Sequence, residues 1–444
     1  MVVRVLREAG FVAYFAGGCV RDMLMGIASA DYDVATDATP EQVGKLFRHV
    51  LRVGAAFGVA IVIVHRKKVE VTTFRRDVSY TDGRRPDAVR FSTPQEDAQR
   101  RDFTINGMFF DPLSEQVIDY VGGREDLRAR VVRTIGRADE RFGEDYLRML
   151  RAVRFATRFD FALDPATAEA IRRHAARITS ISGERVLDEL TKMLLGPRPA
   201  EALNMLAELG LARRILPELC VTGDAMFAAA VARVALLADA PGRDQRLMLA
   251  ALLADLDRDA IETVTRRWGA SNEVRQTAWF LAEHGDEWSQ FDRGAGILPA
   301  SGGEGDWSSS SDPPHGAHNA GETPAPRDTP APRDTPAPRP MWQFKRLLAA
   351  EDWPRLLAFW RVREQLATGG YACTDRIAAR ADAIPADQIS PPPFVTGDDL
   401  KSLGLPPGKR MGEMLEALYR QQQDECLTTR DQALTEAKRL MSAP

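Results

Sequence analysis

The sequence predicts an α+β chain, a mixed α/β head followed by an almost wholly helical body and tail. Three observations lead there. Residues 1 to 138 alternate short β-branched runs with glycine turns and short helical stretches. From about residue 140 apolar side chains recur at three- and four-residue spacing, as in "EDYLRMLRAVRFATRF" and "GERVLDELTKMLLG". One stretch, 294–340, belongs to neither part: it collapses to Gly, Ser, Pro and Ala, with "TPAPR" beginning at Thr323, Thr329 and Thr335. Such a segment cannot bury enough apolar surface to offset its ordering entropy and is expected to be a disordered insertion.

At 444 residues the chain has room for several domains. Its 44% hydrophobic and 27% charged residues are those of a globular protein. No run approaches a membrane span, and the first residues lack the layout of a signal peptide, so no membrane partner and a cytoplasmic location are expected. Cys19, Cys220, Cys373 and Cys426 show no CxxC spacing, which argues against a disulfide framework or a zinc site. The net charge of −4 supplies no global pull on a polyanion, so nucleic-acid binding would need local basic surfaces. The 51 arginines against 8 lysines reflect a GC-rich genome as readily as selection for phosphate contacts. Nothing in the pattern specifies an oligomeric state.

Taken in order, "YFAGGCVRDMLMGIASADYDVAT" (14–36) starts as a strand, breaks at Gly17-Gly18, runs into a short helix and ends on two aspartates. A glycine pair between strand and helix can turn backbone N–H groups toward a phosphate, with Arg21 in the first helical turn reaching the same anion. Asp31 and Asp33, two apart on a strand, share a face and would repel unless a hard cation such as magnesium lies between them. Either feature alone is more often a plain turn; about fifteen residues apart, they suggest a nucleoside triphosphate with its metal. "VAIVIV" (59–64), the turn "HRKK" and "VEVTTF" (69–74) read as a hairpin. Glu70, midway along its second strand, suits the third carboxylate of a two-metal site, or merely the solvent face of an alternating strand. The polar "RRDVSYTDGRRPDAVRF" (75–91) then leads to Arg100, Arg101, Asp102 and Asn106, a cluster that by composition alone is a solvated helix face.

A helix beginning near Glu144 is expected to carry one apolar stripe, Tyr146, Met149, Leu150, Val153 and Ala156, with Asp145 and Arg148 at i,i+3 along its edge. A carboxylate acceptor beside a guanidinium donor complements the amino group and unprotonated ring nitrogen shared by cytosine and adenine. Uracil and guanine present the reverse pattern, at a cost of roughly 1–3 kcal/mol per base-edge pairing. A surface ion pair is the plainer reading of the same two residues.

The ordered set "GGCVRDMLMG…DYDVAT", "EVTTFR", "RRDFTINGMFFDP", "DYVGGREDLRARVVRTIG", "EDYLRMLRAVRF" and "GERVLDELTKMLL" resembles the class II tRNA nucleotidyltransferases and bacterial poly(A) polymerases. The resemblance is dense from residue 1 to about 215. It implies a polymerase-β-like nucleotidyltransferase head (1–138), a base-recognising helical neck (139–200), a helical body (201–293) and, after the insertion, a body continuation and tRNA-binding tail (341–444). It also implies Mg2+, two ions during catalysis, with Asp31 and Asp33 as ligands and Glu70 at the matching acidic position of the third strand. Gly17, Gly18, Arg21, Arg101, Asn106, Asp145, Arg148, Arg151 and Arg154 would bind the nucleotide, with Asn106 near the sugar. Segment 75–91 matches a flexible loop linked to the change from adding C to adding A.

The implied substrates are CTP, ATP and the 3′ end of tRNA. CCA addition leads the readings, ahead of A-only addition and of poly(A) synthesis. The loop disfavours a CC-only enzyme, and residues 391–444, with 7 basic against 8 acidic side chains, lack the basic extension frequent in poly(A) polymerases. A catalytically silent scaffold would have lost a metal carboxylate, and a small-molecule nucleotidyltransferase would not need the neck. Sixteen residues precede the glycine pair, fewer than in many members, which fits a first helix that is longer upstream.

Overall fold

The computed structural model describes residues 1–29, 31–51, 58–77, 89–220, 224–291 and 339–442. They form two compact units, Met1–Glu283 and His284–Pro444.

The first unit opens with a seven-stranded sheet: β1 (Ala13–Ala16), β2 (Asp33–Thr36), β3 (Val50–Leu51), β4 (Val59–Val64), β5 (Lys67–Thr73), β8 (Phe109–Asp111) and β9 (Gln116–Ile118), in the order β3-β4-β5-β2-β1-β8-β9. Only β2 and β5 run parallel, and their register sets Asp33 opposite Glu70. One sheet face is apolar because Val34, Val62 and Val71 alternate onto it, and α1 (Val2–Glu8) and α3 (Pro40–Leu46) bury it with Val2, Val3, Leu6 and Val43. Alternation sends Asp33 and Glu70 to the other face. The expected hairpin is present with a tighter turn than "HRKK": His65 and Arg66, at φ 48° and 63°, make a two-residue connection, and Lys67 and Lys68 belong to β5.

Beyond the sheet, β6 (Arg75–Asp77) pairs with β7 (Val89–Phe91); the interior of the expected flexible loop, 78–88, lies outside the described residues. Next come α4 (Pro94–Gln99), capped by Thr93 Oγ1 accepting from Glu96 N, and a 3₁₀ turn at Thr104–Asn106. α5 (Gly123–Ala129) follows the sheet.

The helical neck differs from the expected single helix. α6 (Ala138–Glu144) ends where Asp145 turns extended, at φ −156° and ψ 106°, and α7 (Leu147–Phe159) starts afresh. Asp145 therefore sits in a break, where its carboxylate accepts from Leu147 N at 3.0 Å, as short polar side chains do at helix starts. The apolar stripe is real: Met149, Leu150 and Val153 are fully buried, and α7 packs against α9 (Gly183–Leu194), α8 (Pro165–His174) lying between them in sequence. Helices from Pro199 to His284 complete this part of the chain.

In the second unit the stretch from "WQFKRLL" is two helices, Met341–Leu348 and Trp353–Thr368, because Pro354 suits a first turn and cannot continue a preceding helix. Phe291, Phe344, Trp353 and Trp360 form its aromatic centre. The tail, 394–442, gathers its own core around Leu400, Met411, Met414 and Leu418. The expected insertion, 294–340, lies outside the described residues except for Arg339 and Pro340.

Candidate active site

A cavity of about 480 Å³ lies within the first unit, between the end of β1, the 3₁₀ turn and the neck. Gly17 and Gly18 line it. Gly17 has φ 74° and ψ −129°, a conformation glycine adopts freely, and its N–H donates to Met108 O at 3.1 Å. A side chain here would also collide: a Cβ would stand 2.8 Å from Arg101 Nη1. The glycine is thus what lets Arg101 close over the junction where the first N–H groups of α2 (Gly18–Leu24) lack intrahelical acceptors.

Arg101 lies over the Phe109 ring, 5.3 Å from its centroid, and the buried Asp97 accepts from its Nε at 3.3 Å and Nη2 at 3.0 Å. Arg21 lines the same cavity but is engaged differently from the expectation. Its Nε and Nη2 donate to Asp22 Oδ1, its Nη1 donates to Asn106 Oδ1 at 2.5 Å, and its plane rests 4.4 Å from the Phe159 centroid. Burial lowers its pKa below the arginine norm, against the opposing pull of Asp22. Arg21 therefore braces Asn106 from behind.

The bracing continues into the neck. Asn106 Nδ2 donates to Asp102 Oδ1 at 3.1 Å, and Asp102 Oδ2 accepts from Arg151 Nε and Nη2 at 2.8 and 2.6 Å. Burial alone would raise the Asp102 pKa; Arg151, the Asn106 hydrogen bond and Arg148 outweigh it and hold the carboxyl at about 2. Arg154 is turned out of the cavity, donating through Nε to the buried Glu189 at 2.6 Å and stacking 4.3 Å over Phe155. Of the expected nucleotide contacts, Gly17, Gly18, Arg21, Arg101, Asn106, Asp145, Arg148 and Arg151 all line the cavity, and Arg154 supports it from outside.

Asp145 and Arg148 line the cavity from the neck. Their side chains have other partners: the Asp145 carboxylate accepts from Arg185 Nη2 at 2.7 Å and Nη1 at 3.2 Å, while Arg148 Nη1 donates to Glu144 and to Arg141 O. Asp145 O accepts from Arg148 N at 3.1 Å, so one tight turn holds the acceptor and the donor side by side. Arg185 was not singled out in the sequence; it lies forty residues from its partner in a motif that carried no residue-level signal, and the fold alone brings them together.

Asp33 also lines the cavity, while Asp31 and Glu70 do not. The three carboxylates nevertheless feel one another. Asp33 and Glu70 both have raised pKa values, first through burial, then through Asp31 acting on Asp33 and Asp33 acting on Glu70; Arg101 and Arg75 offset part of this. Carboxylates that repel, all offering oxygen, fit a hard divalent cation. Among the described residues no three His, Cys, Asp or Glu side chains make a complete cage. Among the described residues no helix is long and apolar enough to cross a membrane.

Residues 13–133 match the family model of the poly A polymerase head domain, and residues 160–221 that of a probable RNA and SrmB-binding site of polymerase A. The chain is 42% identical over 274 residues to a CCA-adding enzyme of Geobacillus kaustophilus, the match covering 62% of this chain and 66% of that protein. A CCA-adding enzyme of Lactobacillus delbrueckii is 38% identical over 302 residues, covering 66% and 74%. The structure superposes on a crystal structure of the Bacillus stearothermophilus CCA-adding enzyme in complex with CTP with a TM-score of 0.73 at 30% identity, covering 99% of this chain and 96% of that one. The chain thus spans slightly less than two thirds of the first of these relatives and nearly all of the solved structure. By sequence motifs, head architecture and these likenesses together, it belongs to the CCA-adding enzyme family.

Proposed function

We propose that this protein adds C, C and A, drawn from CTP and ATP, to the 3′ end of tRNA without a nucleic-acid template, and does so in the cytoplasm. The observation that carries the reading is one cavity lined both by a glycine cradle with Asp33 and by Asp145 and Arg148. It suits a nucleotide lying with its phosphates on Gly17-Gly18 and Arg101 and its base at the break between α6 and α7.

Asp145 carboxylate oxygens have lone pairs beyond those used by Arg185 and can accept from an exocyclic amino group, while Arg148 donates toward an unprotonated ring nitrogen. Both residues are held by protein partners, so selection costs little reordering. Asn106, fixed between Arg21 and Asp102, would meet the ribose. Asp31 and Asp33, with Glu70 beside them, would hold divalent metal, magnesium by the chemistry of the donors; when bound it supplies charge neutralisation at the triphosphate and a more acidic attacking 3′-hydroxyl. Arg101 lies close enough to Asp33 to favour its ionised form, so the cradle and the carboxylates are electrostatically joined.

The deciding experiment supplies CTP and ATP to purified protein with three tRNA transcripts, ending before CCA, after C and after CC. Ordered addition of C, C and A that then stops supports the reading. Addition of A alone to the CC-ending transcript makes it an A-adding enzyme, and unlimited A on any RNA makes it a poly(A) polymerase. Asp31→Ala should abolish turnover while tRNA binding persists in a gel-shift assay.

A further inference from the structure

Asp97 belongs to none of the expected site residues, yet both of its carboxylate oxygens are spent on arginines of the cavity. It sits on the short helix α4, 1% exposed. Oδ1 accepts from Arg100 Nε at 2.9 Å and from Arg75 N at 3.3 Å; Oδ2 accepts from Arg101 Nε at 3.3 Å and Nη2 at 3.0 Å. Burial would push its pKa up, and Arg101 and Arg100 overcome that to leave it below the ordinary range.

The geometry around Arg101 shows what this achieves. Asp97 takes the Nε edge and Nη2, and Phe109 backs the guanidinium plane. Nη1 is left facing the glycine junction, 2.8 Å from where a Cβ on Gly17 would be, with no hydrogen-bond acceptor among the described residues. Arginine with one edge occupied and the other aimed into a cradle has few orientations left, which is how a fixed donor is made. Through Arg75 N, the same carboxylate also reaches the first residue of β6, the strand that enters the 75–91 segment.

We propose that Asp97 is a positioning residue that presents Arg101 Nη1 to the triphosphate of the incoming nucleotide. It rests on the reading of the cavity as a nucleoside triphosphate site. Asp97 does not touch substrate; it acts through Arg101. Losing its second oxygen acceptor, as in Asp97→Asn, places an amide donor against guanidinium donors and frees Arg101 to swing.

The test is a double-mutant cycle on CTP addition to a tRNA transcript ending before CCA, with wild type, Asp97→Asn, Arg101→Ala and the double variant. Asp97→Asn should raise the KM for CTP at least tenfold while kcat falls less than threefold. Placed on Arg101→Ala, it should change KM by less than twofold. Asp97→Glu, which keeps the charge and shifts it by one methylene, should recover part of the lost affinity and serves if the amide variant does not fold. Equal KM effects of Asp97→Asn with and without Arg101, or an unchanged KM in both folded Asp97 variants, would overturn the assignment. Calorimetric binding of CTP to wild type separates the two claims: no binding there sinks the nucleotide site itself, whereas binding with unaltered Asp97 variants sinks only the role of Asp97.

Discussion

Replacing Asp145 by alanine removes the acceptor at the base end of the cavity together with three protein hydrogen bonds, two from Arg185 and one from Leu147 N. The structural cost is that of a lost helix-start cap, about 1 kcal/mol, plus the release of a partly exposed Arg185 from its partner, which solvent softens. The functional cost is specific. An incoming CTP loses the acceptor for its amino group, while UTP is relieved of a carbonyl facing a carboxylate. One base-edge pairing is worth roughly 1–3 kcal/mol, so the ratio of kcat/KM for CTP over UTP should fall by about 5- to 150-fold. The assay is single-nucleotide addition to a tRNA transcript ending before CCA, with each nucleotide titrated separately. Arg185→Ala keeps the carboxylate and removes only its support, so its ratio should fall between those of wild type and Asp145→Ala. A folded Asp145→Ala protein whose CTP-to-UTP ratio stays within twofold of wild type would refute base reading by this residue.

Gly17→Ala forces a side chain into a backbone conformation that costs about 1–3 kcal/mol and pushes its methyl into Arg101; a lowered thermal midpoint with a KM for CTP raised more than tenfold is expected, and a normal KM would separate Arg101 from the cradle. Asp102→Asn bears on stability. The native carboxyl titrates at about 2 rather than 3.8, so it stabilises the fold above its unfolded value and loses that contribution as pH falls from about 4 toward 2. At about 1.4 kcal/mol per pH unit, urea melts should show the variant roughly 2 kcal/mol weaker at pH 7, with the gap closing near pH 2; a gap independent of pH would contradict the pairing with Arg151. Glu70→Gln has the opposite sign. The raised pKa of Glu70 means that its ionised form is disfavoured in the folded state, so stability present below its unfolded value is lost as pH rises through the raised one. The variant should melt higher than wild type in chelator at pH 7 and equally at pH 3, and added magnesium should raise the wild-type midpoint more; a lower midpoint in chelator would mean that the carboxylates do not repel.

Much of the site was legible because its chemistry is local in the chain. Gly17-Gly18 had to be a turn and the apolar stripe of α7 had to be buried, since each follows from backbone periodicity over a few residues; Asp31, expected to share a strand face with Asp33, instead lies before β2, which begins at Asp33, and only Asp33 lines the cavity. The reading failed where a polar side chain could compete with the helix. Asp145 looked like an i,i+3 partner of Arg148, but its carboxylate caps Leu147 and breaks the helix at that point. Periodicity counts apolar positions and is blind to such a cap. Position suggests an anion contact for Arg21 and the resemblance implies a nucleotide contact for Arg154; Arg21 lines the cavity, but the buried Asp22 and Glu189 engage the two guanidinium groups. A guanidinium binds the nearest carboxylate that the fold supplies, and that neighbour is not written beside it.

The local pattern of residues was enough to specify an α/β head, a helical remainder, a carboxylate strand beside a glycine cradle and the family to which these motifs belong. Tertiary structure alone decided the pairings: Glu70 opposite Asp33 across parallel strands, Arg185 on Asp145, Asp102 on Arg151 and Asp97 behind Arg100 and Arg101. The physical reason is range. Turns, strand faces and helix stripes are set by neighbours within a few residues, whereas a buried charge must find its counter-charge in space, and only the folded chain says which one is within hydrogen-bond distance.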